Sequence, residues 1–238
     1  MNNIYQQIIS SYKKKQARLA VLIDPDKFNL EVVELANKCN VHYFFVGGSK
    51  LTKGNIEKTI STLKKHSKIP VIIFPGDEKQ LSAKADAILF LSLLSGRNPD
   101  YLIGKQVLAA PFIKQKKLEC ISTAYILVEG DKKSTTEKVS KTKPLSDAKT
   151  IIHTAIAAEL LGFKTVYLEA GSGAKTNINT TLIKKVKQNI HIPLLVGGGI
   201  DTVTKAKQAI HAGADILVVG NALESNSGLL KELSLLFI

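Results

Sequence analysis

Three groups of residues have types and spacings from which chemistry is built. Gly197-Gly198-Gly199-Ile200 runs into Asp201 near the C-terminus, and Gly220-Asn221 follows a second apolar run. Glycine lets the backbone approach a ligand and turn its N–H groups toward it, and helix N-termini favour anions. Taken together the two motifs suit a single phosphate. Taken singly, each also suits a tight strand-to-helix turn with no ligand. A dinucleotide fingerprint fits poorly, because no G-x-G-x-x-G opens the first crossover. The second group is Tyr167-Leu168-Glu169-Ala170-Gly171-Ser172-Gly173. Side chains alternate across a strand, so Tyr167 and Glu169 face the same way. If that way is inward, Glu169 could take a proton from a hydroxyl and Tyr167 could hydrogen-bond a polyol. The bland alternative is a strand-end carboxylate paired with a lysine.

The third group is Asp24-Pro25-Asp26-Lys27. A carboxylate pair at a strand end suits a hard cation such as Mg²⁺, which takes one or two protein carboxylates and keeps waters or substrate phosphates. An Asp-Pro turn also needs no metal at all. Gly47-Gly48-Ser49 closes the next apolar run and could bring the Ser49 hydroxyl to the same ion. His153 lies in an apolar helical pattern and reads as a core histidine. No Ser/His/Asp or Cys/His arrangement is legible.

These residues need elements to position them. Short runs apolar at nearly every position read as strands covered on both faces: Leu19–Ile23, Tyr43–Val46, Val71–Phe74, Ala87–Leu91, Ile121–Val128, Thr165–Leu168, Leu194–Val196 and Ile216–Val219. Apolar residues at spacings of three and four predict helices over Leu30–Cys39, Asn55–His66, Pro99–Ile113, Ser146–Leu161, Thr180–Gln188 and Asp201–Ala212. Further helices are expected at Asn3–Lys14, Glu78–Ala83 and Gly228–Leu236. Ser146 and Asp201 read as N-caps, and Gly162 and Gly213 as left-handed helix stops. Eight strands alternating with helices predict an α/β fold, a closed (β/α)8 barrel in one domain over 1–238. The loops after the seventh and eighth strands of such a barrel often share a phosphate site. Asp131–Pro144 holds five lysines after the fifth strand. It reads either as a mobile solvated loop or as a lysine-bearing flap over an anionic ligand.

Composition bounds the rest. The 238 residues are 45% apolar and 22% charged, which is ample for a large core and rules out global disorder. No apolar run approaches the ~18–20 residues that span a bilayer. The N-terminus lacks the basic-then-apolar pattern of a signal peptide. Cys39 and Cys120 lack metal-ligand spacing and read as buried thiols in a reducing cytoplasm. Net charge is +13, yet only Arg18 and Arg97 are arginines. Nucleic-acid readers favour Arg for bidentate contacts, so no nucleic-acid partner is expected. The lysines read as a solvated surface, or as attraction for anionic substrates or an anionic membrane face.

In combination the motifs resemble the geranylgeranylglyceryl phosphate synthase family, which includes the bacterial heptaprenylglyceryl phosphate synthases. The likeness is carried by LIDPDK (Leu22–Lys27), VGGS (Val46–Ser49), YLEAGSGA (Tyr167–Ala174), VGGGI (Val196–Ile200) and VGNALE (Val219–Glu224), in order along nearly the whole chain. The resemblance implies a modified TIM barrel that joins the 3-hydroxyl of sn-glycerol 1-phosphate to a long prenyl diphosphate, geranylgeranyl diphosphate foremost. Diphosphate is released and Mg²⁺ is the cofactor. It implies Asp24 and Ser49 as metal contacts. Tyr167, Leu168, Glu169, Ala170, Gly171, Ser172 and Gly173 would line the glycerol phosphate site, with Gly198, Gly199, Gly220 and Asn221 on the phosphate. Glu169 would be the base, with Tyr167 beside it. The YLEAGSG form and triple glycine resemble the family's second branch. The other branch carries a lysine where Leu22 stands, so charge neutralisation must come from elsewhere in this chain.

A prenyl tail needs an apolar groove, for which Phe74, Leu91, Leu93, Leu94, Tyr101 and Phe112 are candidates; ordinary core is their other reading. A homo-oligomer is expected, as is a cytoplasmic enzyme that touches the inner membrane leaflet transiently. The alternative is another phosphate-binding barrel, an isomerase or lyase acting on a sugar or indole phosphate, which needs neither Asp24 and Ser49 nor a groove. A non-catalytic basic binding protein is the third class.

Overall fold

A computed structural model describes residues 3–237; Met1, Asn2 and Ile238 lie outside them, and with them the first two residues of the N-terminal reading. Eight parallel strands close into a barrel in chain order: β1 (Arg18–Ile23), β2 (Tyr43–Val46), β3 (Val71–Ile73), β4 (Ala87–Leu93), β5 (Glu119–Leu127), β6 (Thr165–Glu169), β7 (Leu194–Gly197) and β8 (Ile216–Val219). Leu19 opposite Leu217 closes the ring. Alternation along each strand sorts the apolar residues into two cores. Ala20, Phe45, Leu89, Tyr167 and Leu195 fill the barrel, while Leu19, Phe44, Ile88, Leu168 and Val196 pack outward against the helices.

The helices are α1 (Ile4–Lys13), α2 (Leu30–Ala36), α3 (Ile56–His66), α4 (Lys105–Gln115), α5 (Thr135–Ser140), α6 (Ala148–Leu160), α7 (Thr180–Asn189), α8 (Val203–His211), α9 (Asn221–Ser225) and α10 (Leu229–Ser234). α1 plugs the bottom of the barrel: Ile4 and Ile8 join the inner core, and Glu119 accepts the Ile4 and Tyr5 amides at 2.7 Å each. Gly162 and Gly213 take the left-handed conformation expected of them, at φ +84° and +110°. Among the described residues no helix is long and apolar enough to cross a membrane.

Several expectations are corrected. The N-caps fall one residue later than predicted. Asp147, not Ser146, accepts the Thr150 amide at 2.7 Å, and Thr202, not Asp201, caps α8. Asp147 and Thr202 have the extended backbone that an N-cap requires. Asp201 instead pairs with Lys205 at 2.7 Å. His153 is exposed, because it lies about 200° around α6 from the inward-facing Ile151. Cys39 and Cys120 are half-buried free thiols. α4 begins after a widened π-type turn over Asp100–Gly104.

The largest difference is between β3 and β4, where no helix forms over Glu78–Ala83. The side chain of Gln80 is buried here and spent on loops. Its Nε2 donates to the Gly48 carbonyl at 2.7 Å, and its Oε1 accepts the amides of Gly48 and Gly76 at 3.3 and 3.2 Å. A helix over this segment would turn Gln80 away from those partners. Without that helix, Phe90 on the outer face of β4 stays partly uncovered between the crossover and α4.

Ile60 on α3 is fully buried in the outer core. Ile60→Ala is expected to lower the free energy of unfolding by about 2–5 kcal/mol, read as a shift in the urea midpoint with unchanged slope.

Candidate active site

Glu169 ends β6 with Leu127 and Gly197 as its strand neighbours and faces into the barrel beside Tyr167. Both are buried. The register explains the glycine at 197: a Cβ there would lie 2.1 Å from the Tyr167 hydroxyl and 3.2 Å from Glu169 Oε2. Gly198, at φ +83°, is equally constrained, because its Cβ would fall 2.4 Å from Glu169 Oε1. Gly171 N donates to Glu169 Oε1 at 2.8 Å. Burial pushes the Glu169 carboxyl up from its usual 4.5 to about 7, with the nearby Tyr167 phenol and the Gly171 amide offsetting part of the effect. The Tyr167 hydroxyl itself has no hydrogen-bond partner of good geometry among the described residues. A buried orphan hydroxyl on the cavity wall is a group that a ligand oxygen would satisfy. Tyr167 is stacked on Tyr125 (centroids 5.3 Å apart) and on Phe74 (5.2 Å), so its position is fixed.

The rim above Glu169 is built from backbone. Gly198, Gly199, Gly220 and Asn221 line the same cavity, together with Ser172 and Gly173 from the loop after β6. Asn221 ties the two loops together: its Oδ1 accepts Ser172 Oγ and the Gly173 amide, each at 3.1 Å. Gly220 passes close to Leu22, whose side chain would meet a Cβ at 3.2 Å.

Next around the ring, after β1 and β2, stand Asp24 and Ser49. Asp24 is half-buried at the end of β1, and its Oδ1 accepts the Asp26 amide at 2.9 Å. Burial raises its pKa. Asp26 does different work from that expected of a carboxylate pair. It binds the amides of Thr52, Lys53 and Gly54 and the Thr52 hydroxyl, which pins that loop and holds its own pKa far below the usual range. Ser49 Oγ lies 3.1 Å from Thr136 Oγ1 on α5. Among the described residues no group of three or more His, Cys, Asp or Glu could hold a metal. The donors that fit a Mg²⁺ ion are one carboxylate and one hydroxyl, so most of its shell would come from water and from substrate oxygens.

The polar segment after β5 is packed against the barrel and brings one of its lysines to the rim. Ser134 caps α5, and Ser134, Ser140 and Thr142 are buried. Thr135, Thr136 and Val139 face the cavity, and Lys132 reaches the rim, where its Nζ would lie 3.4 Å from a Cβ at Gly173.

The cavity, about 530 Å³, runs from the rim past Phe74 to the gap left by the missing helix, where Leu81, Phe90, Leu91, Tyr101 and Ala109 line it. Of the predicted groove residues Phe74, Leu91, Leu93 and Tyr101 lie on this wall; Leu94 and Phe112 do not. Leu168 and Ala170 point into the outer core, and Gly171 serves Glu169 rather than the cavity. Sequence reasoning missed Tyr125, although it pairs with Tyr167 across β5 and β6 and shares its inward parity. It also missed Gln80, whose contacts join loops distant in sequence.

A closed β/α barrel with a buried carboxylate and a glycine rim at the C-terminal ends of its strands has the layout of a barrel enzyme. The PcrB family profile matches residues 12–234, and the chain belongs to that family. It is 49% identical over 233 residues to a geranylgeranylglyceryl phosphate synthase of Flavobacterium johnsoniae, covering 95% of this chain and 96% of that one. A protein of the same name from Chitinophaga pinensis is 44% identical over 239 residues, covering 98% and 95%. The crystal structure of (S)-3-O-geranylgeranylglyceryl phosphate synthase from Thermoplasma acidophilum in complex with substrate sn-glycerol-1-phosphate superposes with a TM-score of 0.93 at 32% identity, covering 100% and 99%.

Because Glu169 ionises less readily when folded, its contribution to stability is greatest below about pH 4.5 and is lost as pH rises through about 7. Glu169→Gln is expected to gain stability relative to the unsubstituted protein between those pH values, by up to about 3 kcal/mol, in urea titrations at a series of pH values.

Proposed function

We propose that the chain is a prenyltransferase that forms an ether bond between the 3-hydroxyl of sn-glycerol 1-phosphate and the first carbon of a prenyl diphosphate, geranylgeranyl diphosphate foremost. The observation that carries this reading is the position of Glu169: a buried carboxylate with a pKa of about 7, between a backbone rim suited to phosphate and an apolar groove suited to a tail. The amides around Gly198, Gly199, Gly220 and Asn221 hold the phosphate end, which fixes where the far hydroxyl falls. Ionised Glu169 takes the proton of that hydroxyl as its oxygen bonds to the allylic carbon and the carbon–diphosphate bond breaks. The Tyr167 hydroxyl binds a glycerol oxygen. A pKa near the working pH leaves the carboxylate free to accept the proton at neutral pH.

Asp24 and Ser49 are the residues that would hold Mg²⁺, which supplies charge for the departing diphosphate. The wall of the cavity favours that need: it carries seven carboxylates and three lysines, so a trianionic donor meets net negative charge unless a divalent cation accompanies it. The groove accepts the tail, at roughly 0.8 kcal/mol per buried CH₂.

We also propose that the protein self-associates and touches anionic bilayers, from which its lipid substrate comes. The exposed Ile103 on the π-type turn and Val107 and Leu108 on α4 support such contacts, and light scattering and liposome flotation test them.

Incubation with Mg²⁺, sn-glycerol 1-phosphate and prenyl diphosphates of increasing length should give the ether product by mass, with no product in EDTA. No turnover with any donor would overturn the reading. Glu169→Gln should lower kcat by about a hundredfold or more while binding glycerol phosphate nearly as well. Ala109→Phe, which fills the groove, should raise KM for geranylgeranyl diphosphate far more than for dimethylallyl diphosphate.

A further inference from the structure

We propose that Lys27 supplies the positive charge for the phosphate of sn-glycerol 1-phosphate, and that Glu224 holds it at the rim until that anion arrives. This rests on the function proposed above. Three lysines line the cavity, Lys27, Lys50 and Lys105, and a fourth, Lys132, stands outside the lining with its Nζ beside Gly173; Lys27 alone of the four is tied by hydrogen bonds to the Asn221 network. Lys105 is on the groove side and already committed, with its Nζ 2.8 Å from Asp77 Oδ2 and 2.5 Å from Glu78 Oε2. Lys50 is exposed on the loop after β2, beside Ser49. Leu22, in the inner lining of β1 against Gly220, offers only carbon to the phosphate corner.

Lys27 is joined to that corner by a continuous network. Its Nζ lies 2.7 Å from Glu224 Oε2. Glu224 Oε1 accepts Asn221 Nδ2 at 3.3 Å, and Asn221 Oδ1 accepts Ser172 Oγ and the Gly173 amide at 3.1 Å. The loops after β1, β8 and β6 are thus linked through one lysine and one carboxylate.

The charges set the logic. A phosphate monoester carries about −1.5 to −2 at neutral pH. The rim amides are neutral dipoles, and Glu224 in the same network is an anion that repels the ligand. Lys27 cancels Glu224 when the site is free. Its ammonium, on a flexible stem and half-exposed, can turn to a phosphate oxygen without breaking a buried contact. The pair is then a holding position for the cation, and the lysine gives the rim a preference for an anionic end over a neutral polyol.

The test is calorimetric titration of sn-glycerol 1-phosphate alone, with steady-state KM for each substrate, on the unsubstituted protein and on Lys27→Met, Lys27→Arg and Glu224→Gln, with melting temperatures to show that each is folded. Lys27→Met should weaken glycerol phosphate binding by about tenfold to a hundredfold. Its KM for glycerol phosphate should rise in step, and by several-fold more than KM for the prenyl donor. Lys27→Arg should retain most of the affinity. Glu224→Gln should bind glycerol phosphate as tightly as the unsubstituted protein or more tightly. Unchanged binding in folded Lys27→Met overturns the inference and leaves the proposed function standing. Equal weakening by Glu224→Gln also overturns it, because the pair would then be only a brace. Absence of binding by the unsubstituted protein removes the proposed function, and the inference with it.

Discussion

The Glu169 carboxylate gives up nearly all its water at the mouth of a closed barrel, and only the Gly171 amide and the neighbouring phenol face it in return. That imbalance raises its pKa to about 7 and makes its ionised form costly to the fold. Everything close to it follows from keeping the carboxylate dry yet open to the cavity. Gly197 and Gly198 lie where any side chain would strike the carboxylate or the phenol, so the rim beside Glu169 is bare backbone. The stack of Phe74, Tyr125 and Tyr167 excludes water from below and holds the phenol still.

A second consequence concerns charge. The chain as a whole carries +13, but the cavity wall has more carboxylates than lysines. The excess of lysines therefore lies elsewhere on the surface, where it acts on encounter with anions rather than on their seating. The two anionic substrates of the proposed reaction, seated side by side, need cations delivered locally. Asp24 and Ser49 fit a divalent ion, and the Lys27–Glu224 pair stands close by, Lys27 in the turn that Asp24 caps. The crossover without a helix matters for the same cavity, since it leaves the apolar end open, where the proposed prenyl tail would lie, without disturbing the strands that carry the polar end.

Much of this was legible in the residue order, because it depends on local periodicity. Strands buried on both faces read as short apolar runs, and parity alone put Tyr167 and Glu169 on one face. The glycine pairs pointed to the rim because close backbone approach demands glycine. What was not legible depends on partners distant in the chain. Glu78–Ala83 has helical spacing, but Gln80 is bound to Gly48 and Gly76 instead. Asp26 looked like half of a metal site until the loop at Thr52–Gly54 was seen to use all its acceptors. The segment after β5 has the composition of a solvated loop, yet its small hydroxyl residues pack it down over the mouth. The caps at Asp147 and Thr202 depended on backbone angles that adjacent Ser and Asp residues leave ambiguous.

The central claim is geometric: the rim holds one end of a three-carbon phosphate so that its other end meets Glu169. A crystal structure with sn-glycerol 1-phosphate tests it most directly. The account requires the phosphate oxygens on the amides at Gly199, Gly220 and Asn221 and the 3-hydroxyl within about 3 Å of a Glu169 oxygen. A phosphate bound on the Asp24 side of the mouth, or a terminal hydroxyl pointing away from Glu169, would contradict it.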